Sequence, residues 1–288
     1  MPPTPVAHTI TYTEANLTEA VLARIAPDAE PRFRELMHSL VRHLHGFVIE
    51  TRLTPAEWQA AIGFLTAVGQ KCDAARQETI LLSDTLGVSM LVDALAHAAD
   101  ARATPSTVLG PFHREGAPRL PNGADIAAGF PGEALLVEAE VTDLEGRPLA
   151  GAEVDVWQAS AQGAYDSQMD KATLPEGDEH ALRATFTTDA AGRIEFRTVL
   201  PASYPVPTDG PVGAMLRAMG RHAMRPAHIH FWLRAPGHRE LVTHVFVAGD
   251  PYLDQDAVFG VKAALVADCA AGADGVRRLA YRFAIQPK

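Results

Sequence analysis

Two cysteines in 288 residues, Cys72 and Cys269, without C-x-x-C spacing, give neither a disulfide framework nor a zinc-thiolate site. Buried, reduced thiols are expected instead. Basic residues are also in the minority, 25 against 35 acidic, and the net charge of −10 repels nucleic acid and anionic membranes over long range. No apolar run approaches the length that crosses a bilayer. The start MPPTPVAHTITYTEAN lacks the basic residues, apolar stretch and small-residue cleavage site of a secretory signal. A soluble, cytoplasmic protein with no nucleic-acid or membrane partner is therefore expected. Tyrosine is scarce, at 5, while histidine is plentiful, at 12, so a constellation using both is judged on its local context.

Up to about residue 100 the pattern is helical. Phe33, Leu36, Met37, Leu40, Leu44 and Phe47 recur at three- and four-residue spacing, a stripe that normally faces a core. Thr54, Pro55 and Glu57 form a helix start in which the threonine caps, the proline suits the first turn and the glutamate completes a capping box. The segment from Glu78 to Ala98 is largely apolar, with Gly87 either tolerated inside a helix or marking a break. After Thr104 and Pro105 the pattern changes to strands, expected at 135–141, 152–157, 184–187, 193–199, 227–234 and 241–247. The expected class is α+β: a helical region, residues 1–105, followed by an antiparallel β-sandwich, residues 106–288.

His228 and His230 lie in RPAHIHFWL, where a strand places residues two apart on one face, so both imidazoles can reach one metal ion. The pair does not name the metal; zinc suits it as well. A hairpin centred on Gly237 sets His244 opposite His230, where it is a third ligand, a hydrogen-bonding neighbour of the ligands or part of a polar face. Tyr165 in GAYDS and Tyr204 in PASYPVPTDGP both sit at strand ends, where a tyrosine is ordinarily a packing or rim residue. Together with two histidines they describe something more. A phenol ionises near pH 10, so two phenolates at neutral pH require a strong Lewis acid such as iron(III). Two imidazoles and two phenolates leave a ferric centre with a net charge of about +1.

These residues stand in longer segments: LLSDTLGVSML, TVLGPFHREGAPRLPNGADI, GAEVDVWQASAQGAYD, TVLPASYPVPTDGPVG and RPAHIHFWLRAPGHRELVTHVFVAGDPYLDQDAVFGVK. With them nearly the whole chain resembles the intradiol ring-cleaving dioxygenases, in particular the hydroxyquinol 1,2-dioxygenase branch. The resemblance implies a dimer joined through the helical region and one non-haem iron(III) per chain in the sandwich. It implies Tyr165, Tyr204, His228 and His230 as ligands, with Tyr204 leaving when substrate binds, and Arg225 as the cation that stabilises charge developing on the substrate ring. A pocket for an aromatic diol or triol would be lined by Leu81, Asp84, Val108, Leu109, Gly110, Pro111, Phe112, Val206, Pro207, Arg225 and Val258. Asp84 is the one carboxylate among mostly apolar walls, where the catechol-cleaving branch more often has an apolar residue. His244 also departs from that branch, which usually carries glutamine there. Two other readings remain open on residues alone: a non-catalytic sandwich module, since G-x-P-L-x-G-A-x-V-x-V from Gly146 to Val156 recurs in such modules, and a zinc hydrolase on the histidine pair.

Overall fold

The computed structural model describes residues 11–73, 76–96, 101–169, 174 and 180–288. The chain forms two compact units, Met1–Thr66 and Ala67–Lys288. The first holds α1 (Leu17–Leu22), α2 (Pro31–Thr51) and most of α3 (Pro55–Gln70). The Glu30 carboxylate caps α2 by accepting from the Arg32 and Phe33 amides. The expected box opens α3: the Thr54 amide donates to Glu57 at 2.9 Å and the Glu57 amide donates to Thr54 Oγ1 at 3.3 Å. The apolar stripe of α2 differs from expectation. Phe33, Leu36, Leu40, Leu44 and Phe47 are 49–56% exposed, so nothing in the described chain covers that face.

The second unit begins with α4 (Glu78–Thr85) and α5 (Val88–Ala96), and the expected end at Ala98 lies outside the described residues. Gly87, at φ +75°, separates the two helices, whose axes differ by 74°. Among the described residues no single helix is long and apolar enough to cross a membrane. Two larger sheets follow, besides one two-stranded pair, among the described residues. One has β1 (Ala134–Thr142), β4 (Arg193–Val199), β10 (Cys269–Ala271) and β11 (Arg277–Ala284) in the order β10-β11-β1-β4. The other has β2 (Glu153–Gln158), β3 (Arg183–Thr187), β7 (His228–Arg234), β8 (Leu241–Val247) and β9 (Val266–Ala267) in the order β3-β2-β7-β8-β9. Val137, Phe196 and Phe283 of the first sheet share one core with Val154, Phe186 and Phe231 of the second. Phe186 stacks on Phe196 across it at 5.1 Å. Alternate residues of each strand therefore face the sandwich interior.

The expected antiparallel sandwich is corrected to a mixed one, because β1 pairs with β11, and β8 with β9, in parallel. Neither pair is joined by a hairpin, so no tight turn imposes antiparallel direction. Cys72 and Cys269 are free and half-buried, not buried.

Candidate metal centre

In β7 the core takes Ile229, Phe231 and Leu233, which turns His228 and His230 to the outer face of the five-stranded sheet. β8 pairs antiparallel with β7 in the register His230 to His244, as the turn at Gly237 requires. The two tyrosines come from loops laid over this face. Tyr165 precedes a short 3-10 turn, Asp166–Gln168, whose Gln168 Oε1 accepts from the Tyr165 amide at 3.0 Å. Tyr204 begins a two-residue strand, β5 (Tyr204–Pro205), paired with β6 (Met224–Arg225) so that Tyr204 lies opposite Arg225. The Asp250 carboxylate ties two of these segments together, accepting from the Ser203 hydroxyl and the Ala227 amide at 2.9 Å each.

Four donor atoms converge, all on buried side chains. The Tyr165 oxygen lies 3.0 Å from His230 Nε2 and 3.3 Å from the Tyr204 oxygen, and the two histidine Nε2 atoms are 3.2 Å apart. His228 Nδ1 lies 2.7 Å from the Pro226 carbonyl, which can only accept. The proton therefore sits on Nδ1, and Nε2 turns its lone pair toward the cluster. Trp157 stacks on His230 with ring centres 4.6 Å apart. Backbone must come close to fit here. At Gly110, φ +77°, a Cβ would lie 3.3 Å from His230 Cε1, and at Gly163, φ +79°, it would lie 3.0 Å from Tyr204 Cβ.

Burial, then Arg225, holds the His228 pKa down to about 3, and burial also drives His230 and His244 well below the usual range. All three imidazoles are thus neutral near pH 7. Burial, followed by the neighbouring Tyr204, pushes the Tyr165 phenol well above 10. Such a phenol cannot ionise at neutral pH unless a cation replaces its proton. Burial opposes the charge on Arg225, but Asp256 above all, and then Tyr204, outweigh it and raise its pKa. Its Nε donates to Asp256 Oδ1 at 3.1 Å, and its Nη1 stands 3.5 Å from the Tyr204 oxygen and 3.4 Å from His228 Nε2. The donor set and the blocked phenol together fit a metal ion that accepts hard oxygen and imidazole nitrogen.

Among the described residues His228, His230 and His244 form a grouping with nitrogens within 4.8 Å of one another. His244 differs from the other two in what its Nδ1 meets, the Arg225 Nη2 at 3.4 Å. The Arg225 guanidinium thus stands within 3.4 Å of a ring nitrogen of both His228 and His244.

The expected pocket residues are distributed unevenly. Phe112 stacks on Tyr165 at 4.3 Å and meets Tyr204 edge-on at 6.1 Å. Leu81, Asp84, Val206 and Val258 are buried; Val108, Gly110 and Pro207 are half-buried; Leu109 and Pro111 are exposed. Asp84 is close enough to Arg225 and Asp256 to feel both charges, yet burial dominates and raises its pKa. Its Oδ1 has no hydrogen-bond partner among the described residues. Leu81 precedes it on the same helical face. Sequence reasoning missed Asp256, Asp250 and Trp157. Only the proximity of Asp256 to Val258 in the chain hinted at the first.

A fold and site of this kind define a class of enzyme, and comparison with known proteins agrees. A family model described as dioxygenase matches residues 109–287, and one described as catechol dioxygenase N terminus matches residues 30–104. The chain belongs to the intradiol catechol dioxygenase family of ring-cleaving enzymes. It is 50% identical over 276 residues to 6-chlorohydroxyquinol 1,2-dioxygenase of Cupriavidus pinatubonensis, covering 96% of this chain and 98% of the relative. With the hydroxyquinol 1,2-dioxygenase of a Rhizobium species it shares 48% identity, covering 95% and 91%. The solved structure of hydroxyquinol 1,2-dioxygenase from Pseudomonas putida superposes with a TM-score of 0.87 at 45% identity, covering 96% of this chain and 99% of that one.

Proposed function

We propose that the protein cleaves hydroxyquinol, 1,2,4-trihydroxybenzene, between its two adjacent hydroxyl-bearing carbons, with both atoms of dioxygen entering the product. That product is 3-hydroxy-cis,cis-muconate, which tautomerises to maleylacetate. One non-haem iron(III) per chain would be held by Tyr165, Tyr204, His228 and His230. The convergence of two phenol oxygens and two imidazole nitrogens, each 3.0–3.3 Å from another of the four, carries this reading. Iron(III) bound there would act as a Lewis acid that lowers the pKa of the phenols and of the substrate hydroxyls.

The protein's own groups have distinct tasks. His228, fixed by the Pro226 carbonyl, and His230, backed by Trp157, offer neutral nitrogens from a rigid sheet. Tyr204 comes from a two-residue strand and its oxygen is the base that takes a substrate proton. Arg225, kept charged by Asp256, stabilises negative charge on the ring. Phe112, Leu81 and Val258 exclude water, and Asp84 accepts from the third hydroxyl. Residues 1–105 serve as the dimerisation domain and 106–288 as the catalytic domain, a division supported by the family matches at 30–104 and 109–287. The homodimer covers the exposed apolar face of α2.

Metal analysis, visible spectroscopy and a substrate panel on iron-replete protein test these assignments. About one iron per chain, a broad purple-red tyrosinate charge-transfer band and preference for hydroxyquinol are expected. A colourless zinc protein of full activity would sink the metal assignment, and equal efficiency on catechol would sink the substrate.

A further inference from the structure

Arg183, on β3, is 3% exposed and makes no direct contact with the four donors, yet it holds two of the segments that enclose one of them. Its Nε donates to Asp166 Oδ2 at 2.7 Å and its Nη2 donates to Asp166 Oδ1, a bidentate grip on a buried carboxylate. Its Nη1 donates to the Phe112 carbonyl at 3.2 Å. Asp166 follows Tyr165 in the chain and opens its 3-10 turn, while the Phe112 ring lies flat on the Tyr165 ring, 16° from parallel. Arg183 also stands opposite Trp157 in the β2–β3 register, and Trp157 is the ring stacked on His230. One guanidinium thus joins the sheet that carries the histidines to both loops that sandwich the tyrosine.

Stability alone does not account for such a pair, because replacing a buried ion pair with apolar side chains of similar volume is often neutral or stabilising. What apolar residues cannot reproduce is three directed bonds from a planar fork. Resting on the reading of Tyr165 as a metal ligand, we propose that Arg183 is a positioning residue that sets the orientation of the Tyr165 phenol against the metal and of Phe112 against the substrate ring.

Three iron-loaded proteins test this: the wild type, Arg183→Lys, and the double variant Arg183→Met with Asp166→Leu. Each is measured for iron content, charge-transfer maximum, urea midpoint, and kcat and KM on hydroxyquinol. Arg183→Lys keeps the charge but loses the fork. A displaced maximum and a kcat lower by on the order of 10- to 100-fold are expected, because a small misplacement of a reacting group has that effect. The double variant removes both charges of the bidentate pair, so the buried Asp166 carboxylate is not left with only the more distant Arg114 Nη1, 3.5 Å from its Oδ2, as an ionic partner. Its urea midpoint should approach the wild type while its maximum and kcat stay displaced. Recovery of band and kcat together with stability overturns the proposal and makes the pair structural. An Arg183→Lys protein indistinguishable from wild type overturns it too. Absence of the band in iron-loaded wild type would overturn the ligand reading itself, an outcome distinct from the other two.

Discussion

Asp84 offers the sharpest test of substrate choice. The carboxylate is 4% exposed, one of its oxygens has no hydrogen-bond partner among the described residues, and burial raises its pKa while Ser89 and Arg225 offset part of that rise. A buried acceptor without a donor costs about 1–3 kcal/mol. A third ring hydroxyl supplies the donor and recovers that energy, whereas catechol leaves the oxygen bare. The difference corresponds to roughly five- to hundred-fold in kcat/KM. Asp84→Ala removes the orphaned oxygen, so hydroxyquinol should slow and the ratio of the two substrates should fall toward one. Asp84→Asn keeps an acceptor of the same size and should retain part of the preference. Steady-state kcat/KM for both substrates, measured side by side on all three proteins, decides the matter. A ratio unchanged by Asp84→Ala refutes the reasoning while leaving the metal site untouched.

Three further outcomes are expected. Gly110→Ala forces a side chain into φ +77° and against His230; a loss of about 1–2 kcal/mol in urea unfolding and weaker iron retention should follow. Metal-free protein should lose stability as pH falls from about 6.5 toward 3. The unfolded chain takes up protons on its histidines in that window while folded His228, with a pKa of about 3, and His230 and His244, which burial also holds well below the usual range, do not. Asp84, whose folded pKa is raised, acts with the opposite sign and softens the slope; urea midpoints at several pH values check the net direction. Leu40→Glu with Leu44→Glu on the exposed face of α2 should convert a dimer to monomers in light scattering, and a wild type already monomeric at micromolar concentration would contradict the dimer.

Features governed by near neighbours were readable from the sequence. Strands expected at 193–199 and 241–247 appear with those limits, because alternation along a strand records which side chains face the core. The Thr54 box likewise depends on residues a few positions apart, and the pairing of His230 with His244 on the single turn between them, whereas the sequence left open whether Gly87 breaks the helix. The parallel place of β11 beside β1 did not emerge, although Leu279 and Phe283 carry a strand-like alternation. Its position is fixed by packing against a strand more than a hundred residues earlier, and no local signal states which strand that is. The stripe of α2 was legible as apolar but not as exposed, since periodicity does not say whether the covering surface belongs to the same chain.

The same distinction divides the site. The four candidate donors lie within recognisable segments, and so do Arg225, Asp256 and Asp166, but their pairings do not show there: Arg225 meets Asp256 and Arg183 meets Asp166 across separations no spacing rule connects. Taken singly, each of these four is the residue type most often found in water. Burial makes them informative, because a charge removed from solvent persists only with a partner, and the partner then fixes the segment that bears it. Asp250, though only half-buried, likewise joins the chain neighbours of Tyr204 and His228. The rigid part of the site, two histidines on one strand, is therefore written in the local sequence, and the adjustable part, two tyrosines on loops, is set by long-range buried polar contacts. Variation that tunes the enzyme without abolishing it should accordingly fall on Arg183, Asp166, Asp256 and Asp250, and a set of single substitutions at these positions should move kcat and the charge-transfer maximum together while iron content stays near the wild-type value. If iron content falls first, the loops hold the metal through its ligands alone and the buried charges have no such directing role.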